Sequence, residues 1–139
     1  MEKSLVIIKP DAIQRGLTKL ILARLEKQRL KLVVSKMLHL DRALAQKLYA
    51  IHKDKPFFEG LVNYISSAPI IAAVFEGEKA IEVIRKTMGA TDPAKAGAGT
   101  IRGDFGVNIE RNSIHGSDSI ETAKREMKLF FTKDEIRSY

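Results

Sequence analysis

Two continuous apolar runs stand out along the chain, Leu5-Val6-Ile7-Ile8 near its start and Ile70 to Phe75 at its middle. Runs of this length without polar alternation predict central strands covered on both faces. The first ends at Lys9-Pro10, where proline removes a ladder donor and stops the strand. Leu17, Ile21 and Leu25 then recur at helical spacing, with Thr18 as the expected cap. Leu30 to Leu40 alternates in part and reads as a strand. Asp41 is placed to cap the next helix, whose buried stripe is expected to be Leu44, Leu48 and Ile51.

Pro56 opens a further helix through Phe58, Leu61, Val62 and Ile65, and Ile81, Ile84 and Met88 line another that Gly89 closes. From Ala90 to Arg111 the pattern is glycine-rich and irregular, a long loop of the kind that usually carries function. A short strand near Ile114 precedes a last helix from about Ile120 to Phe131, with Ala123, Met127 and Phe130/Phe131 as its apolar stripe. Asp118 and Glu121, three apart, fit a capping box at its start. The order predicts an α+β sandwich, a four-stranded antiparallel sheet with helices packed on it. No repeat or linker divides the chain, so residues 1–139 are expected to form a single domain.

Composition narrows the function classes. No apolar run approaches a membrane span and the start has no signal-peptide layout, so a cytoplasmic setting is expected. Cysteine is absent, which excludes disulfides and thiolate chemistry, and the three histidines lack helical metal-ligand pairing. Lys and Arg outnumber Asp and Glu by 24 to 17, giving a net charge of +7 that suits polyanionic ligands. Because these charges are scattered and not blocked, a nucleic-acid tail is disfavoured, and nucleic acid is at most a secondary partner.

Gly103-Asp104-Phe105-Gly106 resembles a protein-kinase signature, but the chain is too short and lacks the other kinase motifs. With no P-loop either, bound phosphates would have to be held by side chains. Lys9 at a strand end, Arg85 beside an apolar stripe, and Thr91 and Arg102 in the long loop are candidates. Taken singly, each is more often a solvated surface group, and its value depends on whether they converge. Phe57 falls off its helical stripe, either as packing or as a face for stacking a base. Tyr49 and His52 are a surface pair or one wall of a cleft.

His115 precedes Gly116 and three small polar residues in Asn112-Ser113-Ile114-His115-Gly116-Ser117-Asp118-Ser119. It is a loop imidazole bonded near a helix start, a general base, or a nucleophile that takes a phosphoryl group on a ring nitrogen. Nucleophilic use requires an acceptor on the other nitrogen, for which Glu126 is the candidate. Gly116 is expected to clear space for a phosphate beside the ring.

The His115 stretch, together with Val6-Ile7-Ile8-Lys9-Pro10-Asp11-Ala12, the segment from Tyr49 to Gly77, and Gly99-Thr100-Ile101-Arg102-Gly103-Asp104-Phe105-Gly106, closely resembles the nucleoside diphosphate kinase family. The match runs from Leu5 to Phe131, with the motifs in the family's order. The resemblance implies a ferredoxin-like sandwich and a double-displacement transfer, from nucleoside triphosphate to histidine to nucleoside diphosphate. It implies His115 as the nucleophile, Glu126 on its other nitrogen, Ser117 in the same network and Tyr49 nearby. Lys9 would reach the transferring phosphate and ribose, Asn112 the ribose, and Arg85, Thr91, Arg102 and His52 the phosphates. Phe57 would stack on the base, opposite Ile109. Mg²⁺ would come with the nucleotide, with little direct protein ligation, and the chain would form a homo-oligomer, tetramer or hexamer. Glu110 stands where the family usually has glycine, Ala98 where proline is common, and Phe75 and Phe130 where tryptophan is frequent. The competing classes are a nucleic-acid-binding or regulatory protein and a histidine phosphocarrier with protein acceptors.

Overall fold

The computed structural model describes residues 1–109 and 111–137. Its centre is a four-stranded antiparallel sheet in the order β2-β3-β1-β4, formed by β1 (Glu2–Ile8), β2 (Lys31–Leu38), β3 (Ile70–Gly77) and β4 (Ile114–Gly116). Alternation along β1 sends its apolar run to both faces. Leu5 and Ile7 join one core with helices α3 (Arg42–Leu48), α4 (Phe58–Ile65) and α7 (Ile120–Phe130). Val6 and Ile8 join the other with α2 (Thr18–Glu26), α5 (Ala80–Met88) and α6 (Ile101–Phe105). β3 behaves likewise, Ala72 and Val74 on the first face and Ala73 and Phe75 on the second. Burying each large apolar side chain in these layers contributes roughly 1.5–3 kcal/mol, offset by the entropy of ordering it.

The expected strands are all present, and Asp41 caps α3 by accepting from Leu44 N–H at 2.8 Å. Several local expectations are corrected. Pro10 not only ends β1 but opens a short helix, α1 (Pro10–Gln14), where its missing N–H costs nothing. Thr18 lies inside α2, whose N-cap is Leu17 without a side-chain bond. Ile51 is 58% exposed because α3 ends before it, and Ala45 joins Leu48 as the helix's buried residues. The interval from Ala90 to Arg111 is not a bare loop. It holds a 3-10 turn at Pro93–Lys95, capped by Asp92, and α6, capped by Thr100. At the start of α7 the cap is Ser119, extended in φ and ψ and accepting from Thr122 N–H at 3.1 Å, not Asp118. Phe75 and Phe130 are both buried in the core. Glu110 lies outside the described residues.

Candidate active site

β4 pairs with β1 so that His115 stands opposite Ile7. Its neighbour Ile114 faces the core under α5, and alternation therefore turns the imidazole to the other face, toward α3 and α7. There α7 presents a buried face of Ala123, Glu126, Met127 and Phe130. A carboxylate in such a stripe is stable only with partners. Glu126, 2% exposed, has them: Oε1 lies 3.0 Å from His115 Nε2 and accepts from Ser117 Oγ–H at 2.7 Å. Arg125 Nη2 is 3.6 Å from its second oxygen, Oε2. With the Nε2 proton given to Glu126, Nδ1 carries the lone pair.

Gly116 lines the cleft beside the imidazole, as expected, and also serves the packing of the sheet. A Cβ there would come within 2.5 Å of Met88 Sδ and 3.0 Å of Ile84 Cγ2, so its missing side chain lets α5 pack on β4.

A cleft of about 620 Å³ opens beside the imidazole, and every expected site residue except Ser117 lines it. Ser117 sits behind the histidine, fully buried against Glu126. Tyr49, at the C-cap of α3, meets the His115 ring edge to face, with centroids 6.1 Å apart at 87°. His52 follows at 6.5 Å from Tyr49, and Phe57 at 5.5 Å from His52, carrying an aromatic path outward. Phe57 and Ile109 are both half exposed at the cleft mouth. Burial, then the charge of Glu126, pushes the Tyr49 phenol above its ordinary value, so it remains a neutral O–H donor.

The cations converge. Lys9, only 4% exposed, donates from Nζ to Asn112 Oδ1 at 2.8 Å, and Asn112 Nδ2 donates to Thr91 O at 3.0 Å. Arg102, on the first turn of α6, donates to Gly89 O at 3.1 Å and Ile114 O at 2.8 Å. Its Nε is buried and has no partner among the described residues. Arg85 donates to Gly116 O at 3.3 Å. Burial, followed by repulsion from Arg85, pushes the Arg102 guanidinium down to about 10. Two arginines in one cleft wall, neither ion-paired to a carboxylate among the described residues, make a site for an anion.

Leu48, Ile51, Leu61, Asp118 and Thr122 also line the cleft, and sequence reasoning had not assigned them to it. Asp118 had a signal, since it sits three residues after His115, but capping explained it away. Among the described residues no three His, Asp or Glu side chains cluster as metal ligands. Of the two acidic groups in the cleft wall, Asp118 and Glu126, the second is engaged by His115 and Ser117. This donor set does not fit a resident metal ion.

A histidine held by a carboxylate and faced by cations in a nucleotide-sized cleft defines a phosphotransferase. The nucleoside diphosphate kinase family model matches residues 2–136. A relative from Dehalococcoides mccartyi is 56% identical over 139 residues, covering 100% of this chain and 98% of its own length. One from Archaeoglobus fulgidus is 52% identical over 136 residues, covering 98% of this chain and 90% of its own. Both are nucleoside diphosphate kinases. Among solved structures, the halophilic nucleoside diphosphate kinase of Halobacterium salinarum in complex with CDP superimposes with a TM-score of 0.95 at 47% identity, covering 99% of this chain and 92% of that one. The Aquifex aeolicus nucleoside diphosphate kinase gives 0.95 at 38% identity, covering 98% and 99%. The chain belongs to the nucleoside diphosphate kinase family. Its fold is the ferredoxin-like sandwich, its activity is transfer of a phosphoryl group between nucleotides by double displacement, and the family requires a divalent cation.

Proposed function

We propose that His115 is the phosphoryl carrier of this enzyme. Nδ1 attacks the γ-phosphorus of a nucleoside triphosphate, typically ATP; an N–P bond forms as the bond to the diphosphate oxygen breaks, and the nucleoside diphosphate leaves. A second diphosphate then attacks the phosphohistidine through its terminal oxygen and departs as triphosphate, restoring the imidazole. The observation that carries this is the 3.0 Å contact from Nε2 to Glu126, which orients the ring and leaves the lone pair on Nδ1. Ser117 steadies the carboxylate, and Tyr49 packs on the ring as a neutral donor. Lys9, His52, Arg85, Thr91 and Arg102 hold the phosphates, and positioning with charge neutralisation supplies most of the acceleration. Lys9 and Asn112 also take the ribose hydroxyls. Mg²⁺ enters as part of the nucleotide substrate. Labelled ATP alone should mark the protein with acid-labile, base-stable label that a nucleoside diphosphate chase removes as triphosphate. Label that survives acid, or resists the chase, overturns the proposal.

Glu126 acts by orientation. Glu126→Gln keeps an acceptor oxygen and Glu126→Ala removes it, so turnover should fall further in the second, by about 10- to 100-fold. Equal, negligible losses in steady-state assays of both would refute the role.

Phe57 and Ile109 clamp the base by its faces, which every base possesses. Phe57→Ala should therefore weaken all four ribonucleoside diphosphates alike, by about 1–3 kcal/mol of stacking, and leave ATP able to form phosphohistidine. A missing 3′-hydroxyl should cost more than any change of base, because Lys9 and Asn112 then lose the hydroxyl they are placed to bond. Competition assays with a 3′-deoxy acceptor measure both effects, and strict selection of one base would contradict this pocket.

The enzyme works as a homo-oligomer, tetramer or hexamer, in the cytoplasm. The edge position of β2, with Met37 60% exposed on it, offers a backbone edge and an apolar contact to a second copy. No helix among the described residues is long and apolar enough to cross a membrane.

A further inference from the structure

Asp11 is almost fully buried at the start of α1, two residues after Lys9, and the transfer chemistry does not use it. Its Oδ1 accepts from Tyr64 Oη–H at 2.7 Å, and its own N–H donates back to Tyr64 Oη at 2.8 Å. Its other oxygen, Oδ2, faces Ser113 Oγ at 3.5 Å. Ser113 is fully buried with a φ of 78°, a left-handed conformation that a serine keeps only when its surroundings hold it there. The Ser113 carbonyl in turn accepts from Lys9 N–H at 2.9 Å. On the other side of Asn112, the Arg111 guanidinium lies 5.1 Å from the centre of the Tyr64 ring. Both residues flanking Asn112 are thus tied to the same Tyr64–Asp11 pair, which also ends the segment carrying Lys9.

We infer that Asp11 is a positioning residue: with Tyr64 it locks the strained turn at Ser113 and so fixes the spacing between Lys9 and Asn112. The inference rests on the reading of Lys9 and Asn112 as the pair that takes the ribose hydroxyls. Their mutual 2.8 Å bond spans 103 residues of sequence and depends on two segments being held in register. Asp11, which touches both segments, supplies that register and sets how strongly the enzyme demands a 3′-hydroxyl.

The test is kcat/KM for a nucleoside diphosphate and for its 3′-deoxy analogue, in the wild type and in Asp11→Ala, Asp11→Asn and Tyr64→Phe. Asp11→Ala should lower the first value by about tenfold and the second much less, narrowing the gap between the acceptors. Asp11→Asn, which keeps an oxygen for Tyr64, should retain most of the gap. Tyr64→Phe, which removes only the hydroxyl, should narrow it, and decides the matter if Asp11→Ala does not fold. A wide gap in the wild type that survives Asp11→Ala, or Tyr64→Phe where it stands in, overturns the inference, because both acceptors would then have lost only general stability. No gap in the wild type would instead overturn the ribose reading itself.

Discussion

His115→Ala should form no phosphoenzyme from ATP and should lose nucleoside diphosphate phosphorylation by about 10⁴-fold or more, the scale of removing a covalent nucleophile. No other group among the described residues is built to substitute. His39 donates from Nε2 to Ser66 O, 2.7 Å away, and His52 packs at a tilt between Tyr49 and Phe57 with no carboxylate on its ring among the described residues. The loss should be chemical, not structural. Glu126 keeps Ser117 at 2.7 Å and Arg125 at 3.6 Å when the imidazole is gone, so its charge is not left bare. The net worth of the lost hydrogen bond to a charged group is about 1.5–3 kcal/mol, a shift of several degrees in Tm. His115→Gln separates the two effects further, since its amide can still donate toward Glu126 but cannot accept phosphate as a stable phosphoramidate. Thermal melts beside labelled-ATP incubations check this; a variant that folds and still carries acid-labile label places the nucleophile elsewhere.

The strands were legible because their physics is local. β1 and β3 are covered on both faces, so each residue of the run had to be apolar, and no other element of that length looks the same. Asp41 and Gly89 also declared themselves, since a capping carboxylate and a residue at φ 87° have few alternatives. α6 did not. Five residues, one of them Gly103, are too few to show helical periodicity, and its main determinant is a Thr100 cap bond of a kind open to any loop threonine. At α7 both Asp118 and Ser119 were chemically able to cap, and the backbone's extension at Ser119 decides between them. The site was harder. Lys9, Arg85 and Arg102 are each unremarkable in isolation, and only the order of the motifs linked them to His115. The Tyr64–Asp11–Ser113 lock left no trace at all: its members are 53 and 102 residues apart, and hydrogen bonding at that separation has no periodicity to read.

Arg102 carries the second large effect. The residue is only 5% exposed, yet two of its N–H groups are spent on Gly89 and Ile114 carbonyls and neither of those neutralises charge. Burial and Arg85 push it down to about 10, so it is still cationic at neutral pH but held there at a cost. The sign follows from that depression. Below about pH 10 the group is charged in both folded and unfolded chains, and the penalty on the folded state is fully present; it is relieved only as pH rises from about 10 toward the ordinary arginine value. A polyphosphate in the cleft removes the same penalty at neutral pH, by supplying the missing negative charge and an acceptor for the orphaned Nε. Arg102→Ala should therefore lower kcat/KM by about 10²- to 10³-fold, as losing a preorganised donor at a developing charge does. Arg102→Lys should recover only part, because a point charge cannot bond two carbonyls and a phosphate at once. The stabilisation that saturating nucleotide adds to Tm should shrink in both. Steady-state kinetics with nucleotide-dependent melting distinguish this from simple loss of packing: if Arg102→Ala destabilises the free protein yet keeps the wild-type nucleotide shift and turnover, the guanidinium is structural and the phosphates are held without it.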